Sequence, residues 1–238
     1  MENKLIVSLS PHVHSGDSIQ RNMYGVLIAL IPALLVSFFV FGLGAIIVTL
    51  TSVAACLFFE WAITKYILKR DGNTLWDGSA AITGILLAFN LPSNLPVWIV
   101  IIGALVAIGI GKMTFGGLGC NPFNPALIGR VFLLISFPVQ MTSWPQAGQW
   151  GAYLDAETGA TPLALMKQAI KSGDPSVLND LPSSLLLLIG FPENCQAGAG
   201  CLGEICALAL LLGLAYMLWK KIISWHIPIS ILATVFVF

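Results

Sequence analysis

The sequence predicts an all-α, polytopic membrane helix bundle with short broken or re-entrant helices. Three observations point there. Of 238 residues, 57% are hydrophobic and 9% are charged, against about 25% charged in an ordinary soluble domain. The mean hydropathy is +0.89. Apolar runs near membrane length alternate with short polar turns that carry the basic residues. So few charges could not cover a water-facing surface. The hydrophobicity also excludes intrinsic disorder. The balance of 11 Lys plus Arg against 11 Asp plus Glu argues against a basic nucleic-acid groove.

The first 20 residues hold Glu2, Lys4, His12, His14 and Asp17. They contain no apolar stretch of the kind a cleavable signal needs and read as a retained cytoplasmic tail. A first span covers residues 24–41; Pro32 interrupts it, which a membrane helix tolerates when neighbours satisfy the freed carbonyl. Gly42, Leu43 and Gly44 make a tight turn into a second span at 45–66. Segment 79–89 is apolar but short, with Asp77 before it as a candidate N-cap and Asn90-Leu91-Pro92 behind it as a stop. A helix of that length reaches about 17 Å, roughly half the hydrocarbon. Segment 97–110 is Gly-rich and of moderate length. It leads into the block G-K-M-T-F-G-G-L-G-C-N-P-F-N-P at 111–125, after which 126–137 is again short and carries Arg130.

Residues 138–182 turn polar and irregular and read as a loop outside the membrane. Segment 185–189 is too brief to span; a later span at 205–219 is closed by Lys220 and Lys221, and a last one begins near Ile227. The sequence stops at residues 234–238 with no polar flank, which is expected of a chain that ends inside a span. The whole is read as one integral membrane domain. Arg21, then Lys65, Lys69 and Arg70, then Lys112, then Lys220 and Lys221 fall at alternate ends of the spans, and the positive-inside rule makes those ends cytoplasmic. The loop at 138–182 then faces outward whether the two short segments both cross or both re-enter. Short interrupted helices of this kind line sites near the bilayer midplane; two ordinary helices with misjudged boundaries are the other reading.

Two motifs can carry chemistry. In D-A-E-T-G-A-T-P-L at 155–163, Thr161 and Pro162 form an N-cap and N1 pair for a short amphipathic helix at 163–170, ended by Ser172-Gly173. This is either a capped loop helix and nothing more, or an anion site. A phosphate joined to Thr161 faces the orphan N–H groups of the first turn, and Gly159 and Ala160 leave it room. In the Gly-rich block, Asn124 and Pro125 repeat the cap logic, Asn121 lies close by, and the glycines permit close backbone approach. Tight helix packing through small residues explains the same glycines. Arg130, within an apolar segment, needs a phosphate, an acid such as Glu60 or Glu204, or a snorkelling route to the interface. Glu60 and Glu204 are either ion-path or interfacial residues. His12 and His14 are a weak metal signal, better read as a solvated or subunit-contacting segment. Cys56 reads as a buried free thiol. With no C-x-x-C and no histidine near Cys195, Cys201 and Cys206, a zinc or iron–sulfur site is not expected. Cys195 and Cys201 are either a small disulfide or free thiols.

Ser10-Pro11-His12, Arg21, A-L-I-P-A at 29–33, the block at 111–129, T-G-A-T-P-L at 158–163, Gly203-Glu204 and W-H-I-P at 225–228 occur in that order. Together they resemble the family of the D subunit of the Rnf ion-translocating electron-transport complex, whose close relative is the B subunit of the sodium-translocating NADH:quinone reductase. The short N-terminal tail is nearer the Rnf protein. The resemblance implies a multi-pass flavoprotein of the bacterial inner membrane with a cytoplasmic N-terminus. It implies an electron-carrying subunit, partnered by the other membrane and peripheral subunits, in a complex that couples ferredoxin-to-NAD electron transfer to translocation of Na⁺ or H⁺. The chain has no dinucleotide fingerprint or cluster motif and is not expected to catalyse that reaction alone. The resemblance further implies FMN joined through its phosphate to the last Thr of an [S/T]-G-A-T motif, here Thr161. Thr158 stands where many relatives have Ser, and Gly159 and Ala160 complete the motif. Asn121, Asn124 and Arg130 are further cofactor-binding candidates. The resemblance also implies a bundle of broken-helix inverted repeats, and a second flavin, or an ion path, would draw on both repeats. A channel or secondary transporter for a small polar solute, or a passive scaffold, are the competing readings.

Overall fold

The computed structural model describes residues 18–69, 74–172, 188–190 and 200–237. Helix α1 (Ile19–Phe41) begins before the first apolar residue of the span, because the Ser18 side chain caps it by accepting from the Arg21 N–H at 3.2 Å. The polar Gln20, Arg21 and Asn22 occupy its exposed first turns, and Pro32 lies inside without ending it. One residue, Gly42, turns the chain into α2 (Leu43–Ala62). Its φ of 60° lies in the region that favours glycine, and a Cβ there would lie 2.5 Å from the Trp150 Cα. The end of α2 widens into a π-helical stretch, Ile63–Ile67.

Helix α3 (Ser79–Phe89) has the bounds read from the sequence. Asp77 does cap it, from one position further out than an N-cap. Its Oδ1 accepts from the Ser79 N–H at 2.8 Å and the Ser79 hydroxyl at 2.6 Å, with Gly78 between them at φ 77°. The helix runs antiparallel to α2: Ser79 lies at the level of Glu60, the Ser52 hydroxyl donates to the Gly84 carbonyl at 2.8 Å, and the chain just beyond α3 reaches Gly44 through the Ser93 carbonyl. Helix α4 (Val97–Leu105) returns and continues as a π-helix, Val106–Met113, which brings Lys112 back to Glu60. Helix α5 (Pro125–Ser136), capped by Asn124, then runs antiparallel to α4, from Pro125 beside Gly111 to Phe137 against Trp98. The two short helices therefore pass from one end of the bundle to the other rather than doubling back.

A one-turn helix α6 (Pro138–Met141), the irregular stretch to residue 161 and helix α7 (Pro162–Ser172) follow. Helix α8 (Ala207–Trp219) packs on α1, where Gly213 meets Ala29 and Gly25 meets Ile222, and α9 (His226–Val237) comes last. Small residues fill the core contacts: Ala45, Ala80, Ala88, Ala104, Ala107 and Ala126 are buried, which lets helix backbones approach without any help from water. Leu35, Leu50, Phe58 and Ile135 stand exposed around the outside, the arrangement a lipid-facing bundle needs and a soluble domain avoids. Among the described residues there is no strand, only an isolated bridge between Pro145 and Thr158. The result is a helical membrane bundle. Arg21, Lys65, Lys69, Lys112, Lys220 and Lys221 all gather at one end of it, called here the basic end.

Candidate functional site

The segment holding Thr161 lies at the opposite end. It is tied there by backbone groups: the Leu43 N–H donates to the Trp150 carbonyl at 3.0 Å, the Gly148 N–H to the Val40 carbonyl at 3.0 Å, and the Tyr153 hydroxyl to the Leu95 carbonyl at 2.6 Å. Burial pushes the Tyr153 phenol above its ordinary value. Within the loop, the Gln149 amide clamps Glu157 from both sides. Its Nε2 donates to the Glu157 carbonyl at 3.0 Å and its Oε1 accepts from the Glu157 N–H at 2.8 Å. The Gln146 N–H reaches the same carbonyl at 2.9 Å, and the Gly159 N–H donates to the Trp144 carbonyl at 2.9 Å. Residues 157–159 are thus held extended along 144–149.

That brace delivers Thr161 to the start of α7. Its carbonyl accepts from the Leu165 N–H at 3.0 Å and its Oγ1 from the Ala164 N–H at 3.3 Å, the N-cap geometry read from the sequence. Thr161 is half-buried, while Thr158 and Ala160 beside it are exposed and Gly159 is half-buried. The hydroxyl has one long contact, and Pro162 brings no N–H to crowd it. A phosphate on Oγ1 would meet the positive end of an eleven-residue helix. The residues present fit a phosphate-linked group.

The Gly-rich block lies at the basic end. Asn124 spends its Oδ1 on the Ala126 N–H at 3.0 Å. Asn121, with its amide oriented by the surrounding carbonyls, donates to the Lys112 carbonyl at 3.2 Å and the Gly117 carbonyl at 2.8 Å. Gly116, Gly117 and Gly119 have φ of 110°, 101° and 85°. From Gly44 to Glu60, the length of α2 separating the two ends, the rise is about 24 Å. The structure therefore brings residues 158–161 together and leaves Asn121 and Asn124 far from them.

Arg130 takes a third position. Its Nη1 donates to the Asn90 Oδ1 at 2.9 Å and its Nη2 to the Cys201 Sγ at 3.8 Å, at the end of α3. Neither of the acids named as its partners pairs with it. Glu60 lies at the basic end, and the Glu204 carboxylate instead accepts from the Cys201 N–H at 3.4 Å. Cys201 is a free buried thiol, pushed up to about 11, first by burial. His12, His14 and Cys195 lie outside the described residues, and among the described residues no group of three His, Cys, Asp or Glu is placed to hold a metal.

Sequence reasoning misses the ion pair at the basic end, where it takes Lys112 only as a marker of topology. The Lys112 Nζ lies 2.6 Å from the Glu60 Oε2 and donates to the Ser79 hydroxyl at 2.5 Å, with the two charged side chains 2% and 1% exposed. The Ser79 hydroxyl in turn donates to Asp77. One charged network thus ties α2, the cap of α3 and the π-helical end of α4. The available signal is a pair of opposite charges, Glu60 and Lys112, each at the same end of an apolar run.

The profile described as the NQR2, RnfD, RnfE family matches residues 6–238. The chain is similar to the D subunit of the Na(+)-translocating ferredoxin:NAD(+) oxidoreductase complex of Acetobacterium woodii, 45% identical over 240 residues, which covers 100% of this chain and 69% of that protein. It is 37% identical to the D subunit of the proton-translocating ferredoxin:NAD(+) oxidoreductase complex of Clostridium ljungdahlii, over 98% of this chain and 68% of that protein. It is 35% identical to the D subunit of the ion-translocating oxidoreductase complex of Escherichia coli K12, over 96% of this chain and 70% of that protein. Over nearly its whole length, then, this chain belongs to the NQR2, RnfD, RnfE family.

Proposed function

We propose that this chain is the electron-carrying D subunit of an ion-translocating oxidoreductase complex, with FMN esterified through its phosphate to the Thr161 hydroxyl. In this reading it works beside the other membrane and peripheral subunits and passes electrons between ferredoxin and NAD as part of the complex. The translocated cation is Na⁺ in the name of one relative and a proton in that of another. The observation that carries the reading is the T-G-A-T segment braced by Gln149 with its last hydroxyl at the α7 N-cap. Thr158, Gly159 and Ala160 supply a low, extended approach to that hydroxyl, and the first turn of α7 supplies the donors and the dipole. The bound flavin supplies one- and two-electron redox chemistry, and the protein supplies position and electrostatics. Moving one charge against 100 mV needs about 2.3 kcal/mol, which electron flow from a low-potential donor can furnish. Asn121 and Asn124 sit at the other end of the bundle and are given no part in this flavin's site; Arg130 stands nearer, at the end of α3.

The gathering of basic residues at the far end supports a cytoplasmic basic end and an outward site, in a bacterial inner membrane. The test uses the full chain expressed with its flavin-attaching enzyme. The native band should fluoresce under ultraviolet light on a denaturing gel, and a peptide spanning Thr161 should carry the flavin mass. Thr161→Ala should insert normally and lose both signals. A native chain without colour or added mass would overturn the flavin reading and favour a solute transporter or scaffold. A tag at Gln146 should be reached from outside intact cells; access only after lysis would overturn the orientation.

A further inference from the structure

On the outside of the bundle, α2 and α4 leave an open groove of about 600 Å³. Thr51, Ala54 and Ala55 line it with short side chains, Leu50 and Phe58 flank it along α2, and Ile101 joins them from α4. The Thr51 hydroxyl is turned back on its own helix and donates to the Ile47 carbonyl at 2.6 Å, so its proton is not offered to the groove. Leu50, Ala54, Phe58, Trp61 and Lys65 follow one another at helical spacing along α2 and its π-helical end, and all five are exposed. Contacts run unbroken from the groove to the charge. The Phe58 and Trp61 rings lie 6.1 Å apart, Trp61 meets Tyr66 edge-on at 5.6 Å, and the Lys65 ammonium lies 5.1 Å from the Trp61 ring centre and 5.7 Å from that of Tyr66. The rings attract the ammonium but leave its charge unneutralised. Glu60, the acid of this stretch, is buried against Lys112. Tyr and Trp belong at the headgroup level of a bilayer. From Lys65 to Leu50 the rise is about 22 Å, and one leaflet with its headgroups is about 20–22 Å thick. This face therefore carries a cation at headgroup level, aromatic rings beneath it, and an apolar groove that reaches as deep as one leaflet.

We propose that this groove holds an anionic phospholipid of the leaflet at the basic end, with one acyl chain along Leu50, Ala54 and Phe58 and the headgroup phosphate against the Lys65 ammonium. A polar solute finds little to bond in such a lining, and a free phosphate has no use for it. A helix of a neighbouring subunit would meet the same apolar side chains but brings no anion of its own to Lys65, whereas a phosphodiester supplies one at that level. The proposal needs only the face shared by α2 and α4, and stands or falls apart from the flavin reading.

The test titrates the detergent-solubilised full chain with phosphatidylglycerol and with phosphatidylcholine, and reads the first binding constant of each by native mass spectrometry. The native chain should bind the anionic lipid roughly fivefold more tightly, the ratio expected of one basic contact at a membrane surface. Lys65→Ala should remove that preference and leave phosphatidylcholine binding unchanged. Lys221→Ala, which removes the same charge at the same end but away from the groove, should keep it. Ala54→Phe fills the groove from an exposed position and should weaken both lipids. If Lys65→Ala does not insert, Lys65→Gln is read in the same way. Equal loss in Lys221→Ala would mean a diffuse surface potential and would overturn the site, as would a native chain with no preference or an Ala54→Phe chain that binds as the native one does. Displacement of the lipid by millimolar glycerol phosphate would assign the site to a soluble phosphate and overturn the lipid. In membranes that hold the assembled complex, Ile101→benzoylphenylalanine should capture lipid on illumination; capture of a neighbouring subunit would assign the groove to a protein helix and overturn the proposal.

Discussion

Replacing Lys112 by Met should damage this protein more than any surface change of the same chemistry. The stem keeps its length, so packing is nearly conserved and the loss is electrostatic. What disappears is the donor to Glu60 at 2.6 Å and to Ser79 at 2.5 Å. What stays behind is the Glu60 carboxylate, 1% exposed, without the ammonium that faced it. Removing one partner of a buried pair costs about 3–5 kcal/mol. At about 2–4 °C per kcal/mol for a chain of this size, the melting temperature should fall by roughly 6–20 °C. Replacing both partners, Lys112→Met with Glu60→Met, removes the buried negative charge as well and should recover most of the loss, because buried pairs exchanged whole for apolar residues are often neutral. Ser79 and Asp77 keep each other in that variant. The assay is the tryptophan-fluorescence melt of the detergent-solubilised full chain for the native protein, the two single variants and the double, with Lys65→Met as the exposed control. A single variant that melts within about 2 °C of native, or a double that melts as low as the sum of the singles, would refute the reasoning.

Three further outcomes are expected. Gly84→Ala should cost about 1–3 kcal/mol by forced separation of α2 and α3, since its Cβ would lie 2.7 Å from the Val53 Cα and 3.2 Å from the Ser52 carbonyl oxygen, both backbone; the melt of the solubilised chain reads it. Maleimide at pH 8 should label the exposed Cys120 and spare Cys201. Burial first of all keeps the Cys201 thiol protonated, so the stability tied to it is full below about 9 and lost as pH rises through about 11; peptide mass mapping at pH 8 and after denaturation checks the labelling. Gln149→Ala removes two hydrogen bonds to the Glu157 backbone, worth together about 1–3 kcal/mol. Proteolysis within 146–161 should speed up roughly 5- to 160-fold with the melting temperature unchanged, provided opening is fast relative to cleavage.

Local signals are legible in the sequence and long-range ones are not. Residues 79–89 read correctly because the stop at Asn90-Leu91-Pro92 and the cap at Asp77 are written in adjacent residues. The Thr161 cap reads correctly for the same reason. Hydropathy places the start of α1 too late because it discounts Gln20, Arg21 and Asn22, which a capped helix end carries easily into water. The π-helical ends of α2 and α4 leave no trace, since an apolar run has the same composition in either winding. Arg130 does need a partner, but charge alone points to the acids. The partner is neutral Asn90, which only the antiparallel course of α3, α4 and α5 brings within reach. Lys112 fails in the mirror sense: its charge orients the chain, while its place opposite Glu60, 52 residues away in sequence, depends on the fold.

The two ends of the bundle are held by different physics, and that difference bears on the site. The basic end depends on a buried ionic network with Lys112 at its centre. The end that carries Thr161 depends on backbone carbonyls, one glutamine amide and a tyrosine hydroxyl. Neutral hydrogen bonds of this kind hold a loop in place without a charge that an added phosphate would repel or recruit. A flavin ester on Thr161 should therefore leave the core undisturbed. The two ends are about 24 Å apart by helix rise, beyond the range at which substitutions usually couple. Thr161→Ala and Lys112→Met should then be additive in the melt to within about 0.5 kcal/mol, and the Lys112 variant should still accept flavin once folded. A coupling of several kcal/mol between them would mean that the loop and the ionic network share one cooperative element, and site and brace would then no longer be separable.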